Sequence, residues 1–426
     1  MESQPHWWQL SLPEMFHSNS GLSWYWRVAN YPQMASQRVI QSIIPYLAFY
    51  STISAHPASS PPSSNIGCLA NSTVANLEDL VTCLDTYTVG EQAYDTETYA
   101  VAQPTSDERL AWTVAVRSLL DVDGNCTEVI LSPALDGIYS VTLFAENTTS
   151  SSQDLQVAAI REPLEYCVLS EKRFQPDTGY YVRGWGFLAV PASRATIQKE
   201  IHFAAPHPIF DSFTPIQAAA LFSRTRARSL LISGRMRRAF LESTDCIIPS
   251  PGNGPYWKTD PAHDINEPFF DAAKAIWDWQ SENGGCPSAS CAYIQMHGKG
   301  PTTCSTDDVF MSTGLGTGSS SIAWYKSPDD APVKRLYQQL VLAFPSSTIS
   351  LPSNDTGCGL TATTNVVGRL INGINPANGF EVANVCTKAS NASLVTGQFV
   401  HLEQALHMRA AENYDTWANA VSAAFS

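Results

Sequence analysis

The chain holds ten cysteines, Cys68, Cys83, Cys126, Cys167, Cys246, Cys286, Cys291, Cys304, Cys358 and Cys386, and none precedes residue 68. An even set of thiols confined to one part of a chain suggests up to five disulfides and an oxidising destination. Spacing does not fix the pairing; a local pair such as Cys358 with Cys386 is one candidate. The other use of thiols is zinc. The only tight pair, Cys286-x4-Cys291, lacks a second pair at finger-like spacing, so disulfides are the better reading.

A disulfide frame requires export, and the N-terminal sequence offers a route. From Met34 the chain reads Met-Ala-Ser-Gln-Arg38, then a mostly apolar stretch to Ala55 with small residues at Ser54-Ala55. That is the layout of a signal peptide over 34–55. The stretch is shorter than the roughly 18 to 20 apolar residues of a spanning helix and contains Pro45, so no stable membrane insertion is expected after cleavage. Residues 1–33 then read as an extended or mispredicted leader and 56–65 as a flexible Ser/Pro-rich start, leaving 66–426 as a single large domain. Five N-x-Ser/Thr sequons, at Asn71, Asn125, Asn147, Asn354 and Asn391, agree with a secreted glycoprotein. The 25 basic residues against 39 acidic give a net charge of −14, which disfavours nucleic acid or an anionic membrane as partner.

The pattern beyond the leader is α/β. Leu77 to Leu84 and Glu108 to Leu120 read as helices and Gly137 to Ala145 as a strand. From Tyr166 onward strands and helices alternate. The strands are Tyr180 to Val190, Glu200 to Ala205, Ser229 to Ser233, Ala292 to Met296, Thr348 to Leu351 and Phe399 to Leu402. The helices are Pro215 to Arg224, Phe269 to Glu282 and Ala331 to Ala343, the first with Thr214 as N-cap. This order predicts a mixed, mostly parallel central sheet with helices on both faces.

Ligands of an open α/β sheet bind past the carboxyl ends of its strands, so polar residues there are the candidates. One strand runs into His207-Pro208-Ile209-Phe210-Asp211, whose imidazole and carboxylate converge if the turn is helix-like. A second ends in His297-Gly298-Lys299-Gly300. A third brings His401, Glu403 and Gln404 to its end, and Arg235-Met236-Arg237-Arg238 follows a fourth. Two imidazoles and a carboxylate suit Zn²⁺ with a fourth position for water, leaving Glu403 to take a proton from that water and an arginine to stabilise an oxyanion. The loop Thr259 to Asn266 adds His263 as a proton donor, substitute ligand or substrate contact, with helix capping as its plain role. Lys299 and Lys326 read as solvated. The glycine-rich Gly314 to Ser319 lacks the lysine of a phosphate loop, and no Gly-x-Ser-x-Gly elbow is present.

The order of His-x3-Asp, Arg-Arg, Ile294-Gln295-Met296-His297 and Phe399-Val400-His401-Leu402-Glu403-Gln404 resembles the zinc carboxypeptidase and N-formylglutamate amidohydrolase group over roughly residues 200–410. More closely, the run Gly184 to Gly316 resembles secreted fungal proteins with no assigned activity. The first resemblance implies His207, Asp211 and His297 as zinc ligands, Glu403 as general base, and Arg237 or Arg238 as the oxyanion or carboxylate contact. The group uses His-x2-Glu where this chain has His-x3-Asp, so Asp211 is the departure. The expectation is a secreted zinc hydrolase of amide or peptide-like bonds in a small molecule or peptide. The alternatives are a non-catalytic binding or effector protein on the same scaffold, and a glycosidase using carboxylates such as Asp260 and Glu267.

Overall fold

The computed structural model describes residues 66–69, 73–147, 164–250, 254–374 and 384–426. The expected leader 1–33, signal peptide 34–55 and flexible start 56–65 lie outside them. The described residues build nine strands: β1 (Tyr139–Ala145), β2 (Glu165–Glu171), β3 (Phe187–Pro191), β4 (Lys199–Ala205), β5 (Ala227–Ile232), β6 (Cys291–Gly298), β7 (Val309–Ser312), β8 (Ile349–Ser350) and β9 (Phe399–Gln404). They form one sheet in the order β1-β2-β3-β5-β4-β6-β9-β7-β8. The centre, β5-β4-β6-β9, is parallel; β1, β2 and β3 join it antiparallel on one side and β7 antiparallel on the other.

The central strands are parallel because helices cross over between them, and those helices bury both faces. Along β4, Ile201, Phe203 and Ala205 face one side, packing with Ile294, Met296, Val400 and Leu402 beneath helices Thr214–Thr225, Pro332–Ala343 and Tyr414–Ala424. The alternate residues, among them Ala204, Tyr293 and Phe399, face helices Pro268–Glu282 and Val366–Ile371. A fully buried phenylalanine such as Phe203 contributes about 2–3 kcal/mol. Near its carboxyl end the second face turns polar, with Gln295 and His297 on β6 and His401 and Glu403 on β9.

Five disulfides staple the layers: Cys68–Cys83, Cys126–Cys167, Cys246–Cys386, Cys286–Cys291 and Cys304–Cys358. Cys358 therefore pairs with Cys304 and Cys386 with Cys246, correcting the local pairing of Cys358 with Cys386; chain neighbourhood is a poor guide where loops return across a sheet. The expected strand Tyr180 to Val190 is ordered as a strand only from Phe187, because Tyr180 to Gly186 turn through Gly184 and Gly186, both at positive φ. Thr214 is the first helical residue rather than the N-cap. Phe213 takes that place at φ +70° with no side-chain cap. Among the described residues no helix is long and apolar enough to cross a membrane.

Candidate metal centre

β4 ends at Ala205, and the chain then makes a tight turn in which the Asp211 amide donates to the His207 carbonyl at 2.9 Å. That single i→i+4 turn folds His207 and Asp211 together, placing His207 Nδ1 3.1 Å from Asp211 Oδ2. The turn is strained: Ile209 and Phe213 both sit in the left-handed region, at φ +63° and +70°, where non-glycine residues are rare. β6 delivers His297, whose Nδ1 lies 3.1 Å from His207 Nδ1 and 3.2 Å from Asp211 Oδ2. All three side chains are buried.

These atoms form a nearly equilateral triangle. Ligands of a tetrahedral zinc at bonds of about 2.0–2.1 Å stand roughly 3.3 Å apart, so the edges match. The outward bonds decide which atoms face inward. His207 Nε2 meets Asp260 Oδ1 at 3.0 Å and His297 Nε2 meets Gln295 Oε1 at 2.9 Å. Each partner is an acceptor, so each imidazole carries its proton on Nε2 and turns a lone pair on Nδ1 toward the triangle. Two imidazole lone pairs and a carboxylate oxygen converging in a buried site repel unless positive charge lies between them. The residues present fit a zinc ion.

The electrostatics show that a proton on His207 Nδ1, shared with Asp211, competes with a metal for the centre of the triangle. Burial, with Arg237, opposes a charge on His207, yet the Asp211 and Asp260 carboxylates outweigh both and raise its pKa. Burial would also raise Asp211, but His207 and His297 hold it well below the ordinary carboxylate range. Desolvation lowers His297 to about 4, so that ring is neutral at pH 7.

Glu403 stands opposite His297 in the β6–β9 register. Burial, then the neighbouring Asp211 charge, push its carboxyl up to about 8. His401, two residues earlier on the same face, has its ring 4.5 Å from that of His297 and its Nε2 3.6 Å from Glu403 Oε1. His297, His401 and Glu403 form a second group of donors that shares His297 with the first. Arg409 reaches in from beyond β9, donating from Nη1 to the Ser212 carbonyl at 2.6 Å. It packs so closely on Gly298 that a Cβ there would fall 2.1 Å from Nη1, so a larger residue after His297 would displace the guanidinium.

The structure separates the two candidate arginines. Arg237 bonds the buried Asp260 carboxylate and stacks over Phe210, 5.2 Å from the ring centroid. Arg238 instead pairs with Glu91 at 3.0 Å on the surface and does not join the group. His263 is drawn in indirectly: its Nδ1 lies 3.1 Å from Asp260 Oδ1, its Nε2 3.2 Å from Thr364 Oγ1, and its ring stacks on Tyr256 at 3.7 Å. Asp260, read from sequence only as a glycosidase carboxylate, holds His207, Arg237 and His263 together. Glu267 is bound to Arg235 at 2.8 Å, both wholly buried, which leaves that carboxylate pair no open face. Lys299, expected in solvent, is buried and donates to the carbonyls of Thr303 and Cys304.

Sequence reasoning gave Asp260 and Gln295 no part in the metal site, and it placed His401 at the third strand end without a role. Two residues before Glu403 on a strand, His401 must share Glu403's face. Asp260 and Gln295 have no such signal, since their role depends on which imidazole nitrogen they meet.

No family model matches the chain, and no curated protein matches it in sequence. Among solved structures, gene product Atu2144 from Agrobacterium tumefaciens aligns at 12% identity over 53% of this chain and 86% of its own, with a TM-score of 0.30. A candidate carboxypeptidase A from Shewanella denitrificans aligns at 12% over 56% and 59%, TM-score 0.28. Succinylglutamate desuccinalase from Vibrio parahaemolyticus aligns at 10% over 66% and 76%, TM-score 0.29. Likenesses of this size carry no functional inference; the chemistry below rests on the residues of this chain.

Proposed function

We propose that this is a secreted zinc-dependent hydrolase of amide or peptide-like bonds. The observation that carries the reading is the triangle of His207 Nδ1, Asp211 Oδ2 and His297 Nδ1, with edges of 3.1–3.2 Å. His207, Asp211 and His297 would hold the ion, while Asp260 and Gln295 fix the two rings. Zinc bound there supplies Lewis acidity, polarising a substrate carbonyl and acidifying water.

Glu403 then acts as general base, taking a proton from the attacking water and returning it to the departing amine nitrogen. A carboxyl raised by burial is suited to both transfers. Arg237, tied to Asp260 by one nitrogen and still 21% exposed, offers its remaining N–H groups to the oxyanion or to a substrate carboxylate. The disulfide frame agrees with the secretory route.

Elemental analysis of the mature protein, followed by a screen of N-acyl amino acids and short peptides, tests this. About one zinc per chain is expected. Glu403→Gln is expected to keep zinc and lose turnover by about 10²–10⁴-fold. Protein purified without chelator and lacking stoichiometric zinc would overturn the reading. Zinc bound without turnover of any such substrate would favour a non-catalytic binding protein.

A further inference from the structure

One layer below the His297–Glu403 pair, three residues lie side by side on neighbouring strands: Gln295 on β6 is registered with His401 on β9, and His401 with Ser312 on β7. Registered residues project to the same face, so the three side chains form a row across the sheet. All are buried, and each has one polar atom without a hydrogen-bond partner among the described residues: Gln295 Nε2, His401 Nδ1 and Ser312 Oγ. Buried polar atoms left in this way are rare and call for a reason.

Their chemistry is complementary. Gln295 Oε1 already accepts from His297 Nε2 and from Asn365 Nδ2, which fixes the amide so that Nε2 is a donor. Ser312 Oγ carries a second donor. His401, registered between these two residues, has its Nδ1 outside hydrogen-bond distance of both donors, and it can pair with either only as an acceptor. An imidazole that accepts at Nδ1 carries its proton on Nε2, and Nε2 is the atom 3.6 Å from Glu403 Oε1. A shortening of a few tenths of an ångström closes that contact into a hydrogen bond, a change common between free and substrate-bound sites.

We infer that His401 is a positioning residue for Glu403: Gln295 and Ser312 set its tautomer, and its Nε2–H holds the Glu403 carboxylate toward the reacting water. The inference rests on the general-base reading of Glu403. It assigns His401 no part in holding zinc, although His297, His401 and Glu403 stand close enough to be donors to a cation.

The test uses the full chain. Long-range ¹H–¹⁵N correlation on the zinc-free and zinc-loaded protein should show His401 protonated at Nε2 in both; an Nδ1–H tautomer overturns the inference whatever the activity. His401→Phe, which removes both ring nitrogens but keeps a ring, is expected to lower kcat roughly 10–100-fold with KM and zinc content unchanged. His401→Gln, whose amide can accept at one end and donate at the other, should recover most of that loss. Wild-type kcat in His401→Phe, or a fall in bound zinc in either variant, overturns it. Full turnover in Glu403→Gln is a different failure: it removes the general base itself, while the tautomer measurement still reads the row. If His401→Phe does not fold, the tautomer and His401→Gln decide.

Discussion

Two of the buried charge clusters among the described residues are solved in opposite ways. Around Arg235, one guanidinium meets one carboxylate, Glu267, at 2.8 Å, with the rings of Tyr94 and Tyr99 5.9 and 5.8 Å from the cation. Every charge has its counter-charge within the chain. Around His207, acceptors outnumber donors: both Nδ1 lone pairs and Asp211 Oδ2 face one another, and the nearest cation, Arg237, is bound to Asp260 instead. The first cluster is balanced in charge by the chain itself, whereas the second would be balanced by a cation, a metal ion or a proton, at its centre. The difference distinguishes a structural ion pair from a site built for a ligand, since both are equally buried.

The largest effect that sharpens this contrast comes from removing one member of the metal cluster. His297→Ala or His207→Ala is expected to abolish zinc binding and to reduce turnover about 10³-fold or more. The loss of metal is read by elemental analysis and of activity by amide hydrolysis. Because a ligand stabilises the state that binds it, chelation of the wild-type protein should lower its unfolding temperature, and the same chelator should do nothing to His297→Ala. Equal zinc in variant and wild type would erase the distinction between the clusters.

The matching change in the other cluster, Arg235→Met, should leave zinc in place and act on stability. Removing one partner of a buried ion pair costs about 3–5 kcal/mol. Glu267 is already pushed up to about 7 by burial, with Arg235 as the main opposing influence, so in the variant it should take a proton and place the cost at the lower end. Denaturant unfolding of the metal-loaded variant measures this. A fall in zinc content would mean that the clusters are coupled.

His202 breaks the comparison along another axis, that of pH. It is wholly buried in β4, bridging Ser229 Oγ at 2.8 Å and Gln280 Oε1 at 3.0 Å, with no carboxylate on its ring. Burial lowers it from 6.5 to about 4. The folded state therefore prefers the neutral ring, and this contribution is fully present above about pH 6.5 and is lost as pH falls toward 4. The loss is on the order of 3 kcal/mol. Glu171, pushed up to about 7 by burial, works in the opposite sense over a neighbouring window. The informative quantity is thus the difference between wild type and His202→Gln: the advantage of the wild type at pH 7.5 should shrink at pH 4.5. A difference independent of pH would show that folding does not shift the His202 pKa.

How much of this could be read from sequence differed by residue for physical reasons. β4, β6 and β9 were legible because continuous apolar runs between helices are what a doubly covered parallel strand requires. β7 was not, since four residues, Val309 to Ser312, are too short to establish a period, although this strand supplies Ser312. Asp211 was the residue most at odds with the family pattern, and a single strained turn brings it to His207 all the same. Lys299 was misjudged because its ammonium finds two loop carbonyls beside the Cys304–Cys358 bridge, a partnership invisible without the pairing of those cysteines.

Arg237 and Arg238 give the smallest and most local contrast, since sequence could not choose between them and one residue of chain separates a buried site from solvent. The Arg238–Glu91 pair has side chains 41% and 42% exposed, and exposed pairs contribute about 0–1 kcal/mol. Arg238→Ala should therefore change stability by no more than that, less still in high salt, with zinc and turnover intact. Arg237→Ala leaves Asp260 buried with the two imidazoles and the Ala262 amide against its charge. It should raise KM or lower kcat, because the His207 ring loses its anchored partner and the substrate a guanidinium donor. Steady-state kinetics of the two variants side by side separate the roles: a loss of turnover in Arg238→Ala matching that in Arg237→Ala would place both arginines at the substrate.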